Sequence, residues 1–139
     1  MRATTDDTRT RSVLVPLSET TLTLASGPDI RGRDAVDLKG EKIGTIDDLL
    51  VDPQSHEVRL VKLSGGGFLG IGDQTWLIPV EAIRDIGEDA VRIDRAGSEV
   101  VRGPAYQPDL VLPEEDRYGP VYDYYGYPPF WVVRLDGPR

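Results

Sequence analysis

Between residues 34 and 93, short apolar runs alternate with turn-forming residues, a pattern typical of β-strands rather than long helices. The runs are spaced about ten residues apart, which indicates a sandwich or a small barrel. Closing the sheet into a barrel removes exposed edges, so we predict an all-β fold, a small barrel of about five to six short strands with one-turn helices. The predicted strands are 35–37, 42–52, 58–64, 75–79, 85–86 and 90–93, with one helical turn at 81–84.

The strand at 42–52 does not keep a single alternating phase. Ile43 and Leu49 share one phase, whereas Ile46 and Leu50 hold the other. One regular strand cannot turn both sets toward one core, so we predict a bulge near residues 47–48. The predicted barrel interior comprises Val36, Ile43, Ile46, Leu49 or Leu50, Val58, Leu60, Ile78, Ile83 and Val91 or Ile93.

The segments on either side of the predicted barrel differ in composition. The chain begins with a polar stretch that has no apolar period, and we interpret residues 1–20 as a disordered or flexible tail. Residues 21–103 are assigned to the barrel domain. Residues 104–139 are rich in proline and contain all six tyrosines, so we predict an extended aromatic tail that packs on a barrel.

Aromatic side chains are concentrated within this tail. Exposed in water, they would form a larger apolar patch than a monomer usually tolerates, so we expect them to be covered. The tail packs either on its own barrel or on that of a second subunit, and the second case would give a two-fold homodimer. The candidate packing residues are Tyr122, Tyr124, Tyr125, Tyr127 and Trp131.

Composition and charge exclude several classes of function. The chain has 24 acidic and 16 basic residues, a net charge of −8, which disfavours direct binding to nucleic acid. It has no cysteine, which excludes disulfides and thiolate chemistry. A membrane span needs roughly 20 apolar residues and a signal peptide a shorter apolar run. Neither pattern occurs, so we expect a cytoplasmic protein without direct membrane insertion.

A glycine-rich segment at 65–72 contains a literal G-x-G-x-x-G pattern. The dinucleotide fingerprint requires a helix directly after the glycines, whereas a strand pattern follows here. We therefore predict a mobile hairpin loop without a cofactor. Phe68, Leu69 and Ile71 are apolar within this loop, and we interpret them as candidate contacts to a partner.

No pattern of catalytic or metal-binding residues emerges. Asp47 and Asp48 are adjacent on a strand, so their carboxylates leave opposite faces and cannot readily share one ion. His56 is the single histidine and lies in a turn without a visible partner. We predict no metal, no catalytic residue and no enzymatic activity.

The run from Val36 to Asp52 resembles the signature of the PRC-barrel family. It contains an apolar–acid pair, a glycine turn, an apolar–glycine pair and an acid-rich bend followed by paired apolar residues. Residues 58–63, 78–80 and 90–93 fit the same order of elements, and 104–106 and 124–131 resemble the tail of many stand-alone members. The resemblance covers about residues 28–131.

The resemblance implies a small β-barrel with no family catalytic residues. Such barrels occur in the photosynthetic reaction-centre H subunit and in a ribosome-maturation factor that binds a small-subunit ribosomal protein. We therefore expect a non-enzymatic protein-binding or adaptor module that self-associates. One alternative is an accessory factor in small ribosomal subunit maturation or RNA processing, binding a basic ribosomal protein. Another is a peripheral component of a photosynthetic or membrane electron-transfer complex.

Overall fold

The computed structural model describes residues 14–25, 27–65, 74–106 and 114–131. The all-β class is confirmed, and six strands lie close to their predicted positions; the seventh, β1, pairs with the end of β3. Short 3-10 turns at Leu17–Glu19 and Val80–Ala82 and two α-helices complete the fold. The strands are β1 (Val15–Pro16), β2 (Asp34–Val36), β3 (Lys42–Val51), β4 (Val58–Gly65), β5 (Gln74–Pro79), β6 (Ile83–Ile86) and β7 (Ala90–Ile93), and the helices are α1 (Gly97–Val101) and α2 (Glu114–Tyr125).

The strands form one curled sheet in the order β5-β4-β3-β2-β7-β6. Strands β2 to β5 form an antiparallel meander, and β6 and β7 form a separate antiparallel hairpin. A parallel pairing of β2 with β7 joins these two parts, with Asp34 opposite Ala90. Among the described residues, no pairing links the two end strands β5 and β6, so the sheet is a half-barrel with an open side.

The predicted bulge in β3 is confirmed. Ile46 lies opposite Leu63 and Asp48 lies opposite Lys62, so Asp47 is the extra residue on this strand. The extra residue brings Leu49 into phase with Ile46, and both are buried; Leu50, the next residue along the strand, is buried too and lies opposite Pro16 of β1. The two adjacent acids separate as expected, since Asp47 is exposed and Asp48 is buried.

Most of the predicted interior is also confirmed. Val58 and Ile83 are partly buried and pack against the core. At β2 the prediction is wrong by one residue, because Ala35 is fully buried while Val36 is only half-buried. A register shift in the β2–β3 pairing between these two residues accompanies the change of phase. The buried predicted residues are Ile43, Ile46, Leu49, Leu50, Leu60, Ile78, Val91 and Ile93.

A close approach between β3 and β4 requires glycine at position 44. A Cβ atom on Gly44 would overlap the backbone carbonyl oxygen of Ser64 on the neighbouring strand. Any larger residue would push the strands apart where the sheet begins to curl, so a side chain at this position is incompatible with the observed register.

The carboxylate of Asp37 connects the β2–β3 turn to helix α1. It accepts hydrogen bonds from the backbone N–H groups of Glu41 and Lys39, each at 2.9 Å, and from that of Gly97 at 3.3 Å. The bond from Glu41, together with those from Lys39 and Gly97, holds the pKa of this carboxyl below its usual value. Asp37 therefore stabilises the fold in its charged form.

The C-terminal tail differs from the prediction of an extended segment, because residues Glu114–Tyr125 form helix α2 with Pro120 inside it. Proline fixes φ near −65°, a value that a helix accepts. Inside a helix, proline is nevertheless destabilising, because it has no N–H donor and its ring crowds the preceding turn. Burial of one aromatic face of α2 against the sheet offsets that cost. The proline pattern alone therefore does not predict the backbone of this segment.

Truncation of core side chains tests the assignment of the barrel interior. Ile46→Ala and Leu60→Ala should each lower the free energy of unfolding by about 2–5 kcal/mol, because both side chains are fully buried. Leu38, which is 46% exposed, provides the control. The substitution Leu38→Ala should change the free energy of unfolding by less than about 0.5 kcal/mol. Urea denaturation measures all three, and core variants as stable as the control would contradict the assignment.

Replacement of Asp37 tests the link between the turn and α1. Asp37→Ala should cost about 1–3 kcal/mol near neutral pH, since three backbone donors lose their acceptor. Because folding lowers the pKa, this contribution is present above the unfolded pKa of about 3.9 and is lost as pH falls through the folded-state pKa. The difference between wild type and variant should therefore shrink in acid. A pH-independent difference in urea melts, or an equal loss for exposed Asp47→Ala, would refute this role.

Candidate functional site

A groove of about 350 Å³ lies on the open side of the half-barrel. It is built from separate parts of the chain: the loop before β2, the middle of β3, the start of β4, the 3-10 turn after β5, and β6. Its walls are mainly apolar. Seven apolar residues line it: Pro28, Ile30, Leu49, Val58, Val80, Ile83 and Ile86.

Strand β6 contributes two side chains to this groove because it is irregular. Residues three apart on a regular strand point to opposite faces. The pairing of β6 with β7 shifts register between Ile83 and Asp85, so one residue is inserted and Ile83 and Ile86 both line the groove. Ile86 is 48% exposed, so this side chain extends the apolar surface of the groove to the solvent.

Two charged residues line the groove, and they pair with each other. Arg59 Nη1 lies 3.2 Å from Glu57 Oε1, and Nη2 lies 3.8 Å from Asp52 Oδ2. The guanidinium also stacks on the ring of Phe130, 5.6 Å from its centroid. The buried Nε of Arg59 has no hydrogen-bond partner within the described parts of the chain. The guanidinium is therefore held in place by neighbouring carboxylates and by the ring of Phe130.

The surface around β6 is acidic. Glu81 precedes the strand, Asp85 lies on it, and Glu88 and Asp89 form the turn that follows; all four are exposed. Arg84 is the single cation within the same stretch of sequence, and Arg33 reaches the turn after β6, where it donates to the carbonyl of Gly87 at 2.7 Å. Asp85 approaches Arg92 of β7 at 3.8 Å, a long and exposed ion pair that leaves its negative charge largely available. The apolar groove is thus bordered by carboxylates.

The opposite end strand, β5, is covered by the chain itself. Ala105 forms a bridge with Trp76, and the N–H of Tyr106 donates to the carbonyl of Thr75 at 2.7 Å. The indole Nε1 of Trp76 donates to the carbonyl of Val101 at 3.1 Å, and helix α2 packs on the same strand. Coverage of β5 and exposure of β6 make the two ends of the sheet unequal.

The aromatic residues predicted to pack on a barrel lie on or just after α2, and they contact the barrel of the same chain. Tyr122 and Tyr125 are buried, Tyr127 and Trp131 are partly buried, and Tyr124 is 42% exposed. The three apolar loop candidates (Phe68, Leu69 and Ile71) lie outside the described residues. The structure therefore brings together the tail candidates and leaves the loop candidates as predictions.

Tyr122 is at the centre of the tail packing. Its ring meets Trp131 edge-on with centroids 5.9 Å apart, and lies 6.2 Å from Phe130. Its hydroxyl donates to the carbonyl of Arg59 at 3.4 Å, which connects the tail to β4. These offset geometries are favourable for aromatic pairs and add to the gain from burial.

Arg95 holds the end of α2 in place. Its guanidinium lies 5.7 Å from the ring centroids of both Tyr125 and Tyr127 and donates to the backbone carbonyl of Tyr125. Arg95 Nη1 also contacts Asp94 Oδ1 at 2.5 Å, and the Tyr127 hydroxyl donates to Asp94 Oδ2 at 2.7 Å. Donation to this carboxylate raises the pKa of Tyr127, and burial raises the pKa of Tyr125. Neither Arg95 nor Asp94 stands out in the sequence, since each is one of many charged residues.

A matched pair of tyrosines tests the packing of the tail on its own barrel. Tyr122→Ala should lower the free energy of unfolding by about 3–5 kcal/mol, since a fully buried ring is lost. Tyr124→Ala, two residues away on the exposed side, should cost about 1 kcal/mol, mainly through its hydrogen bond to the carbonyl of Glu99. Denaturant melts compare the two, and equal effects would contradict the observed packing.

Comparison with known proteins agrees with this architecture. A sequence profile of the PRC-barrel domain matches residues 23–100, more than half of the 139 residues. A search of curated proteins finds no match to the chain. Within the described ranges, no group of three His, Cys, Asp or Glu residues is placed to hold a metal, and no helix has the length and apolar character needed to cross a bilayer. The resemblance found in the sequence is confirmed, and the chain belongs to the PRC-barrel domain family.

Proposed function

We propose that this protein is a non-enzymatic protein-binding module of the PRC-barrel type, and that its binding site is the groove beside β6. The observation that supports this proposal is the apolar groove on the open side of the sheet, with Ile86 exposed at its edge. Exposed apolar surface of this kind is typical of interaction sites.

The chemistry of the groove favours binding over catalysis. A general acid or base must be free to exchange a proton with a bound substrate. Here the charged side chains of the groove, Glu57 and Arg59, form an ion pair with an N···O distance of 3.2 Å. The remaining walls are aliphatic side chains and a proline ring, which recognise shape and apolar surface.

The acidic border of the groove favours one of the assemblies that the family resemblance implies. A basic ribosomal protein would complement the exposed carboxylates around β6, as in an accessory role in small-subunit maturation or RNA processing. The peripheral role in a photosynthetic or membrane electron-transfer complex stays a prediction, as does the cytoplasmic location.

Self-association also stays a prediction, and the packing of the tail determines how it would arise. Because Tyr122 and Phe130 cover the barrel of their own chain, a dimer with exchanged tails would require both to leave it. Light scattering on the full chain and on a chain ending at Gly103 tests this. We expect the shortened chain to aggregate, since truncation uncovers Trp76. A full-length dimer that becomes a stable monomer on truncation would instead support tail exchange.

Site-specific crosslinking tests the proposed function directly. A photoreactive side chain placed at position 86 should give a discrete adduct with a protein partner in native lysate. The matched control is position 38, since Leu38 is 46% exposed and Ile86 is 48% exposed, and Leu38 does not line the groove. An adduct formed equally from both positions, or no adduct from position 86, would refute binding at the groove.

A further inference from the structure

We propose that β6 binds an extended, basic segment of a partner protein as an added strand, with apolar side chains of that segment entering the groove. This inference rests on the proposed function and specifies its partner. Addition of a strand to a free edge gives affinity through backbone hydrogen bonds, and adjacent pockets for alternate side chains give specificity.

The backbone of β6 is available on one side. Within the described chain it pairs only with β7, and no strand lies on its other edge. Arg84, Asp85 and Ile86 are all exposed, and within the described chain their strand is paired on one side alone. The opposite end of the sheet is different, because the bridge between Ala105 and Trp76 covers β5. An unpaired edge of this kind is a template for pairing with another chain.

The groove provides sites for side chains of the added strand. Alternate residues of an extended segment point to the same face, so those facing the sheet interior lie beside Ile83 and Ile86. Across the groove from these residues stand Ile30 and Val58, which complete an apolar pocket. A segment with aliphatic residues at every second position fits this arrangement.

The charges around β6 indicate which residue types the outward-facing positions of the segment carry. Four exposed carboxylates border the edge: Glu81, Asp85, Glu88 and Asp89. Arg84 lies in the same stretch, Arg33 donates to the carbonyl of Gly87 at 2.7 Å, and Arg92 lies 3.8 Å from Asp85, so the four carboxylates outnumber the three nearby cations by one. Lysine or arginine at the outward positions would meet opposite charge, whereas an acidic segment would be repelled.

A second copy of this chain fits the edge poorly. In an antiparallel pair, hydrogen-bonded and non-hydrogen-bonded residue pairs alternate, so a two-fold axis must pass through one pair of identical residues. A register that pairs β6 along its length is centred on Arg84 or on Asp85. The first places two guanidinium groups opposite each other and the second places two carboxylates there, and both arrangements are destabilising. The charges on this edge therefore favour a segment of a different protein over a second copy.

The test uses the full chain and a peptide probe with blocked ends, about six residues long, that alternates lysine with isoleucine. A second peptide carries glutamate in place of each lysine, and a third carries proline at its centre, which removes a backbone donor. Nuclear magnetic resonance follows the amide shifts and hydrogen exchange of Arg84, Asp85 and Ile86. With the lysine peptide, and not with the other two, we expect saturable shifts at these amides and slowed exchange at those that face away from β7, such as that of Ile86.

Charge-reversal variants of the protein provide a second test of strand addition. The double variant Glu81→Lys, Glu88→Lys should weaken the lysine peptide about tenfold, because both exposed carboxylates flank the edge. The control Asp123→Lys makes the same kind of change on the exposed face of α2 and should leave affinity unchanged. Equal weakening by both variants would overturn the charge argument.

Other outcomes separate this inference from the proposed function. Failure of the lysine peptide to bind, unchanged β6 amides, or equal binding of the glutamate peptide would overturn strand addition. If position 86 still forms a protein adduct in lysate, the groove remains a binding site and only the inference fails. Slowed exchange at β6 that grows with protein concentration alone would show that a second copy occupies the edge, which also overturns the proposal.

Discussion

The open side of the sheet is the constraint from which the other features follow. A sheet that curls around a core without joining its end strands leaves part of that core uncovered, and apolar surface there must be covered by other elements. At β5 the chain does this itself, with Ala105 bridging to Trp76 and α2 packed alongside. At β6 the described chain provides no cover, and the groove remains.

The two sides of this opening use different chemistry. Tail packing near β5 combines buried aromatic rings with an arginine that contacts two tyrosines and an aspartate, so polar and apolar groups together fix one arrangement. The groove near β6 has aliphatic walls and an ion pair between Glu57 and Arg59. Arg59 connects them, since its guanidinium lines the groove and stacks on Phe130 of the tail.

Local patterns were sufficient to predict the strands and the β3 bulge, because alternation and its interruption are encoded in neighbouring residues. The groove was not predicted, since distant segments such as those of Ile30, Val58 and Ile83 meet only through the topology of the sheet. Ile86 was not predicted to share a face with Ile83, because residues three apart on a regular strand point to opposite faces and the irregularity of β6 is not visible in the sequence. Helix α2 was missed because Pro120 favoured an extended interpretation, whereas tertiary packing decided its backbone.

The parallel pairing of β2 with β7 also determines how the chain reaches this structure. The meander and the β6–β7 hairpin connect neighbouring segments and can form on the microsecond timescale of local hairpins. Joining them brings Asp34 opposite Ala90, which are far apart in the chain, through a strand of only three residues. This pairing closes a long loop and adds few contacts, because the strand is short. The loss of chain entropy therefore precedes most of the contacts that compensate for it. Among the pairings of the described sheet, this parallel one joins the strands that are farthest apart in the sequence.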